Sequence, residues 1–248
     1  MSAVLHAEWT KARTLASNGW LLAGVAVATC AVSILVAATT KCSAQSCGDP
    51  AKTSLSGVYL GQAAAVVLGV LMVSGEYANG MIHVTLAAMP RRLPVLAAKA
   101  IVLSGMMLAA AAIAVIVCEL AGLPLLAHDG YGQLPAGAEV RAACGTVGYL
   151  MLIGLLSLGI ATAVRDPGVA VGIVLALLFL FPVFAHFTDT TWQRHLEQIA
   201  PMTAGLAIQD TVDLASQPIG PWAGLGVLAA WSAGAMLLGG AVLRYRDA

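Results

Sequence analysis

Gly168-Val169-Ala170-Val171-Gly172-Ile173-Val174-Leu175-Ala176-Leu177-Leu178-Phe179-Leu180-Phe181-Pro182-Val183-Phe184 contains no ionisable side chain and no side chain able to form a hydrogen bond. A run of that length is too long for a core strand and fits the roughly 20 residues that cross a hydrocarbon layer as a helix. Arg165-Asp166-Pro167 stops it on one side and Asp189 follows on the other, so residues 168–187 read as a membrane span. The same criterion, applied outward, finds five more spans at 20–40, 57–75, 94–118, 142–164 and 220–243. Lys41 follows the first of these, Glu76-Tyr77 the second, and Arg244-Tyr245-Arg246 the last.

Composition agrees. Of 248 residues 60% are hydrophobic and only 10% charged, against roughly 25% charged in a soluble domain. Too little polar surface is left to wet a globule. The expected fold class is an all-α integral membrane protein, one transmembrane domain over 1–248 with six transmembrane helices. A formal net charge of zero, with no basic run longer than Arg91-Arg92, excludes nucleic acid as a partner.

Six spans place both termini on one side, and the Lys/Arg distribution chooses it. With the N-terminus inside, Lys11, Arg13, Arg91, Arg92, Lys99, Arg165, Arg244 and Arg246 are inner, while Lys41, Lys52, Arg141 and Arg194 are outer. Both termini are therefore expected to be cytoplasmic. Lys11 and Arg13 precede an apolar run as in a signal peptide, but that run is longer than a usual h-region and Val36-Ala37-Ala38-Thr39 is a poor cleavage site, so it reads as retained. Residues 1–19 read as an amphipathic interfacial helix, with Leu5, Trp9, Ala12 and Ala16 on one face and His6, Thr10, Arg13 and Ser17 opposite; a solvated leader is the alternative.

Cys42 and Cys47 share an expected outer loop, which admits a small disulfide ring, the alternative being two free thiols. Cys30, Cys118 and Cys144 read as small packers in or at the ends of spans. The segment 188–218 is too long for a plain connection. Trp192, Leu196 and Ile199 share a helical face, Pro201 breaks the helix, and a second helical stretch is expected over about 203–214. Its polar residues Asp189, Arg194, Glu197, Asp210 and Asp213 either rim an exit or form a solvated cap. G-x-x-x-G occurs at Gly57/Gly61, Gly168/Gly172 and Gly220/Gly224, which indicates tight packing without assigning an interface.

The chain has no G-x-x-x-x-G-K-[ST], no H-E-x-x-H and no G-x-S-x-G, so neither nucleotide hydrolysis nor intramembrane hydrolysis finds its usual residues. His128, His186 and His195 are scattered over outer segments. Inside the spans only Glu119 stands out as ionisable, at the outer end of the third, where it reads as interfacial or cavity-facing. No chain of buried charges suggests proton- or sodium-driven transport. No metal ligand set is read.

The most informative stretch is the inner loop 76–92. Glu76 ends a span, Gly80 allows a turn, Met81 to Ala88 suits a short helix along the membrane, and Pro90-Arg91-Arg92 stops it at the headgroups. Plain anchoring by Arg91 and Arg92 is the alternative. Together with Glu8-Trp9-Thr10-Lys11, Glu76-Tyr77 and Gly80, Pro90-Arg91-Arg92 with Lys99, and Trp192, Pro201 and Ala204-Gly205, this layout resembles the permease subunits of ATP-binding-cassette exporters of the type-two membrane family found in high-GC Gram-positive bacteria. His83 stands where relatives often carry Arg.

The resemblance implies a half-transporter in the bacterial cytoplasmic membrane, surrounded by membrane lipids. It would pair with a second permease chain, identical or homologous, and with two copies of a cassette ATPase subunit that binds ATP and Mg. Glu76, Tyr77, Gly80, Met81, Ile82, His83, Arg91 and Arg92 would form the coupling helix region, and Glu8, Trp9 and Lys11 would belong to the connecting helix. Residues 188–218 would be two short outer re-entrant helices, with Trp192, Glu197 and Pro201 at the gate. The cargo stays open among lipid, amphipathic drug and peptide. A non-transporting scaffold or immunity protein, or an intramembrane enzyme, shares the composition.

The orientation has a direct check. In intact cells, a membrane-impermeant maleimide is expected to label Cys42 and Cys47 from outside after reduction and not before. Labelling from the cytoplasmic side alone would overturn the topology.

Overall fold

The computed structural model describes residues 2–41, 48–78, 92–128, 136–185, 187, 190–214 and 217–245. Its helices are α1 (Ser2–Thr14), α2 (Ala16–Thr39), α3 (Pro50–Ser54), α4 (Val58–Ala78), α5 (Arg92–His128), α6 (Ala136–Val164), α7 (Pro167–Ala185), α8 (Thr190–Ile199), α9 (Pro201–Leu206) and α10 (Pro221–Tyr245), with a 3-10 turn at Ala207–Gln209. Among the described residues there is no strand. Six helices, α2, α4, α5, α6, α7 and α10, are long and apolar enough to cross a membrane, as in a multi-pass membrane protein.

Helix starts follow local chemistry. Proline opens α3, α7, α9 and α10 with Pro50, Pro167, Pro201 and Pro221, positions where its missing N–H is no loss and its fixed φ suits the first turn. Asp49 caps α3 by accepting from the Ala51 N–H (3.0 Å), and Asp166 accepts from the Val169 N–H (2.8 Å) at the start of α7. Only Arg165 and Asp166 separate α6 from α7. The reversal is made by Arg165 at φ 70°, a left-handed conformation unusual for a side chain of that size.

Each of the six expected runs falls on one of these helices, with ends that differ in both directions. α5 does not stop at 118: the apolar stretch after Glu119 continues the helix through Pro124 to His128. Glu119 therefore lies within α5, roughly 13 Å short of its end, not at the terminus. Its two carboxylate oxygens are buried without a hydrogen-bond partner among the described residues.

α6 is the central strut, packed by α4, α5, α7 and α10, and it buries Tyr149, Leu150, Ile153, Leu156 and Leu158 completely. More than half of α4 and of α6 is buried, and less than a quarter of α2, α7 and α10. These last three form the rim and turn most of their apolar surface outward.

Close approach depends on glycine at several crossings, among them α2 with the start of α4 and α6 with α10. A Cβ on Gly57 or Gly61 would overlap Thr29 of α2, and the Gly57 N–H donates to Ser33 Oγ at 2.9 Å across the same crossing. At the α6/α10 crossing a Cβ on Gly159 would lie 2.5 Å from the Ala235 backbone. Of the three G-x-x-x-G pairs only Gly57/Gly61 packs as a pair, since Gly172 and Gly220 face open space.

Gly57→Ala is accordingly expected to cost about 1–3 kcal/mol through overpacking, read as a lower midpoint of thermal unfolding in detergent. Gly172→Ala, with nothing within 4 Å, is expected to leave the midpoint unchanged or higher, because alanine favours a helix over glycine by roughly 1 kcal/mol.

Candidate functional site

At the end of the bundle that carries α1, the middle of α1, the end of α4 and the first turns of α5 meet around one lysine. Lys99 lies two turns into α5 and is 3% exposed. An ammonium removed from water must find carboxylates, and it finds two. Glu8 Oε2 of α1 accepts from Lys99 Nζ at 2.7 Å, and Glu76 Oε1, near the end of α4, accepts from it as well. Lys11, one turn along α1 from Glu8, also donates to Glu76 Oε1. Two carboxylates and two ammoniums make a neutral cluster in which Glu8, Glu76 and Lys99 are buried and Lys11 reaches the rim.

α1 is placed by this cluster. The expected apolar face is only partly the buried one: Ala12 is buried, but Leu5 and Trp9 are 36% and 44% exposed, while Glu8 is 6% exposed. Asn18 then closes the bend into α2 by donating from Nδ2 to the Ala12 carbonyl at 3.1 Å. A cavity of about 200 Å³ lies beside the cluster, bounded also by Leu15, Ser17, Asn18 and Met72. Glu76 Oε2 is buried and has no hydrogen-bond partner among the described residues.

The neighbouring residue extends the anchorage. The Arg165 guanidinium stands 5.4 Å from the centre of the Tyr77 ring, a cation–π contact between the end of α4 and the α6–α7 turn. The last turn of α4 is thus held by α1 and α5 through Glu76 and by the α6–α7 turn through Tyr77. Of the other residues expected in the coupling region, Gly80, Met81, Ile82, His83 and Arg91, with the helix expected over 81–88, lie outside the described residues, and Arg92 begins α5.

Lys99 is what sequence reasoning undervalued. The charge asymmetry places it among the inner cations and the resemblance places it at the opening of the third span, yet it falls inside 94–118. The reading that only Glu119 is ionisable within a span is corrected by it. The available signal was the rule that an ionisable group in an apolar helix needs a partner.

The residues expected at an outer gate lie at the opposite end of the bundle. Trp192 is 66% exposed, Glu197 accepts from Gln193 Nε2 at 3.0 Å, and Pro201 is buried as the first residue of α9. The second helical stretch begins at Pro201, not 203, and ends with the 3-10 turn at Gln209, not 214. The reason is Asp49, whose carboxylate accepts from the backbone N–H groups of Thr211 and Val212 and so draws the chain out of the helix. Asp210 is buried and paired with Lys52, and its carbonyl accepts from Arg141. It is no solvated cap residue. Deeper in, Tyr149 donates to Gln62 Oε1, and Gln62 Nε2 donates to Met202 Sδ at 3.4 Å. Cys42 and Cys47 lie outside the described residues. Among the described residues no three His, Cys, Asp or Glu side chains assemble as a metal site requires.

Burial raises the Asp210 pKa above its usual 3.8, against the opposing pull of Lys52. The folded protein then holds that proton more tightly than the unfolded chain. This residue's contribution to stability is fullest below pH 3.8 and is lost as pH rises through the raised value. Asp210→Asn is expected to remove this downward slope from a plot of unfolding midpoint against pH.

Lys99→Met leaves two buried carboxylates with only Lys11 to share and is expected to destabilise the chain by about 3–5 kcal/mol. Combining it with Glu8→Gln and Glu76→Gln is expected to recover most of that loss, measured as unfolding midpoints in detergent. A triple variant as unstable as the single one would show that these charges do not hold α1 in place. No protein-family model matches the chain, and no curated protein matches it, so the role of this cluster is read from its chemistry and position.

Proposed function

We propose that this chain is the permease subunit of an ATP-driven exporter that moves a hydrophobic or amphipathic molecule out across a bacterial cytoplasmic membrane. The observation that carries the reading is the buried cluster of Glu8, Lys11, Glu76 and Lys99. It joins the leader helix to the end of α4 and the start of α5, the two helices that bracket residues 79–91. A cytosolic subunit bound to that loop and to α1 pushes on one stiff assembly, and the push is delivered to two spans together.

On this reading the end carrying α1 is cytoplasmic, both termini with it, and α1 lies along the inner leaflet as a connecting helix. Residues 79–91 dock on a cassette ATPase, present in two copies, which binds ATP and Mg and hydrolyses the nucleotide. α8 and α9 are the re-entrant helices of the outer side, and α9 with its 3-10 turn is buried among α6, α7 and α10, as suits a closing element. A second permease chain completes the pathway. In transport this chain makes and breaks no covalent bond in the cargo or the nucleotide. ATP drives transport because the inward- and outward-facing states bind nucleotide with different affinity.

Purified alone, the chain is expected to hydrolyse no ATP. Co-expressed with its ATPase it is expected to co-purify in detergent and to confer substrate-stimulated turnover. Gly80→Pro, which removes a backbone donor and restricts the preceding residue, is expected to lower that stimulation severalfold while insertion is unaffected. Asp129→Ala, in an expected outer loop, is expected to leave it alone. Normal stimulation and normal ATPase binding in the Gly80 variant would remove the coupling role from this loop.

A further inference from the structure

Cys30 of α2 and Cys118 of α5 take no part in the cluster or in the outer ties, yet their sulfurs are 3.8 Å apart. Cys118 donates to Cys30 Sγ, and Cys30 donates to the Ala114 carbonyl at 3.4 Å, so Cys30 sits over one turn of α5. Sulfurs that close need only a small further approach to reach the roughly 2 Å of a disulfide bond. Cys118 is fully buried and Cys30 partly exposed. Cys30 lies roughly 13 Å from the nearer end of α2 and 21 Å from the other. In a membrane, water-soluble thiols and disulfides are excluded from that depth, which leaves a small oxidant dissolved in lipid as the reagent for a partly exposed Cys30.

We infer that Cys30 and Cys118 form a dithiol–disulfide pair within the bundle, oxidised by a membrane quinone. The Cys30 thiol adds to the quinone. Cys118 sulfur then attacks Cys30 sulfur, the sulfur–quinone bond breaks, and its electron pair leaves with the ring. Both thiol protons end on the two quinone oxygens. The balance is two thiols and one quinone giving one disulfide and one quinol. The new bond ties α2 to α5 in a place where the inner cluster does not reach. The leader and α2 are already held to α5 through Glu8 and Lys99; a second, covalent tie stops α2 from pivoting about the first.

The test uses the full chain in lipid nanodiscs, exposed to a fully substituted benzoquinone, which accepts two electrons but offers no open ring carbon for a stable thioether. After denaturation and alkylation, Cys30 and Cys118 are both expected to be lost from the alkylated set. A peptide pair joined between them is expected, lighter by two hydrogens. Cys144, exposed and unpaired with another thiol, stays alkylated as the internal control. Cys30→Ala and Cys118→Ala should each abolish the joined pair and leave the remaining cysteine alkylated. Wild-type chain in which both thiols are still alkylated, under conditions that oxidise a lipid-anchored control dithiol in the same discs, overturns the inference. So does a joined pair that links either residue to a different cysteine instead.

Discussion

A single buried ammonium sets the terms for one end of this molecule. In a chain with only 10% charged residues, Lys99 is drawn into the bundle by the apolar helix on which it sits, and its charge must be met where it lies. Removing an ion from water costs several kcal/mol even after relaxation, and attraction offsets that only when geometry and hydrogen bonding are good. Glu8 and Glu76 meet the requirement from two other helices. The position of α1, the end of α4 and the beginning of α5 are therefore not three independent features. They are the solution to one electrostatic problem.

Elsewhere the bundle is held by shape. Lipid-facing helices gain nothing from hiding apolar surface from lipid, so association depends on close packing and a few interhelical hydrogen bonds. Gly57, Gly61 and Gly159 allow backbone to touch backbone, and Ser33 and Ser232 add bonds where the helices meet, the latter donating to the Leu152 carbonyl at 2.9 Å. The same device seats the segment after Pro201. A Cβ on Gly205 would lie 2.8 Å from the Tyr149 ring, and one on Gly224 would overlap the Ala204 carbonyl. Small residues thus set how deeply α9 enters the bundle.

The spans were legible because apolar runs of that length have few other uses, and the break at Pro201 was legible because proline at that place ends one helix and starts the next. The ends were less so. Nothing local marks α5 as continuing past Glu119, since a carboxylate normally signals an interface. The second stretch ends at Gln209 because of Asp49, which is remote in sequence, and no window along the chain contains both. Gly57/Gly61 looked no different from Gly168/Gly172; only the facing Thr29 separates them. Glu8, Lys11, Glu76 and Lys99 were each noted for resemblance or orientation, but their meeting is a tertiary fact. The helix expected over 81–88 and the pairing of Cys42 with Cys47 fall outside the described residues.

α4 links the two ends. Glu76 and Gln62 lie about four turns apart on it, roughly 21 Å, and within half a right angle of the same face. Glu76 belongs to the ion cluster, while Gln62 bonds Tyr149 of α6 and Met202 of α9. An α-helix with more than half of its spanning residues buried does not compress, so an axial shift at Glu76 would appear at Gln62 nearly undiminished. There it meets the weakest bond in the chain of contacts, an amide donor on a thioether sulfur, next to the first turn of α9. Strong ionic ties at one end and a soft sulfur contact at the other are the arrangement in which a push at the cluster yields first at α9. Under the exporter proposal, in which the far side opens when the near side is driven, that ordering of strengths is what the mechanism would need.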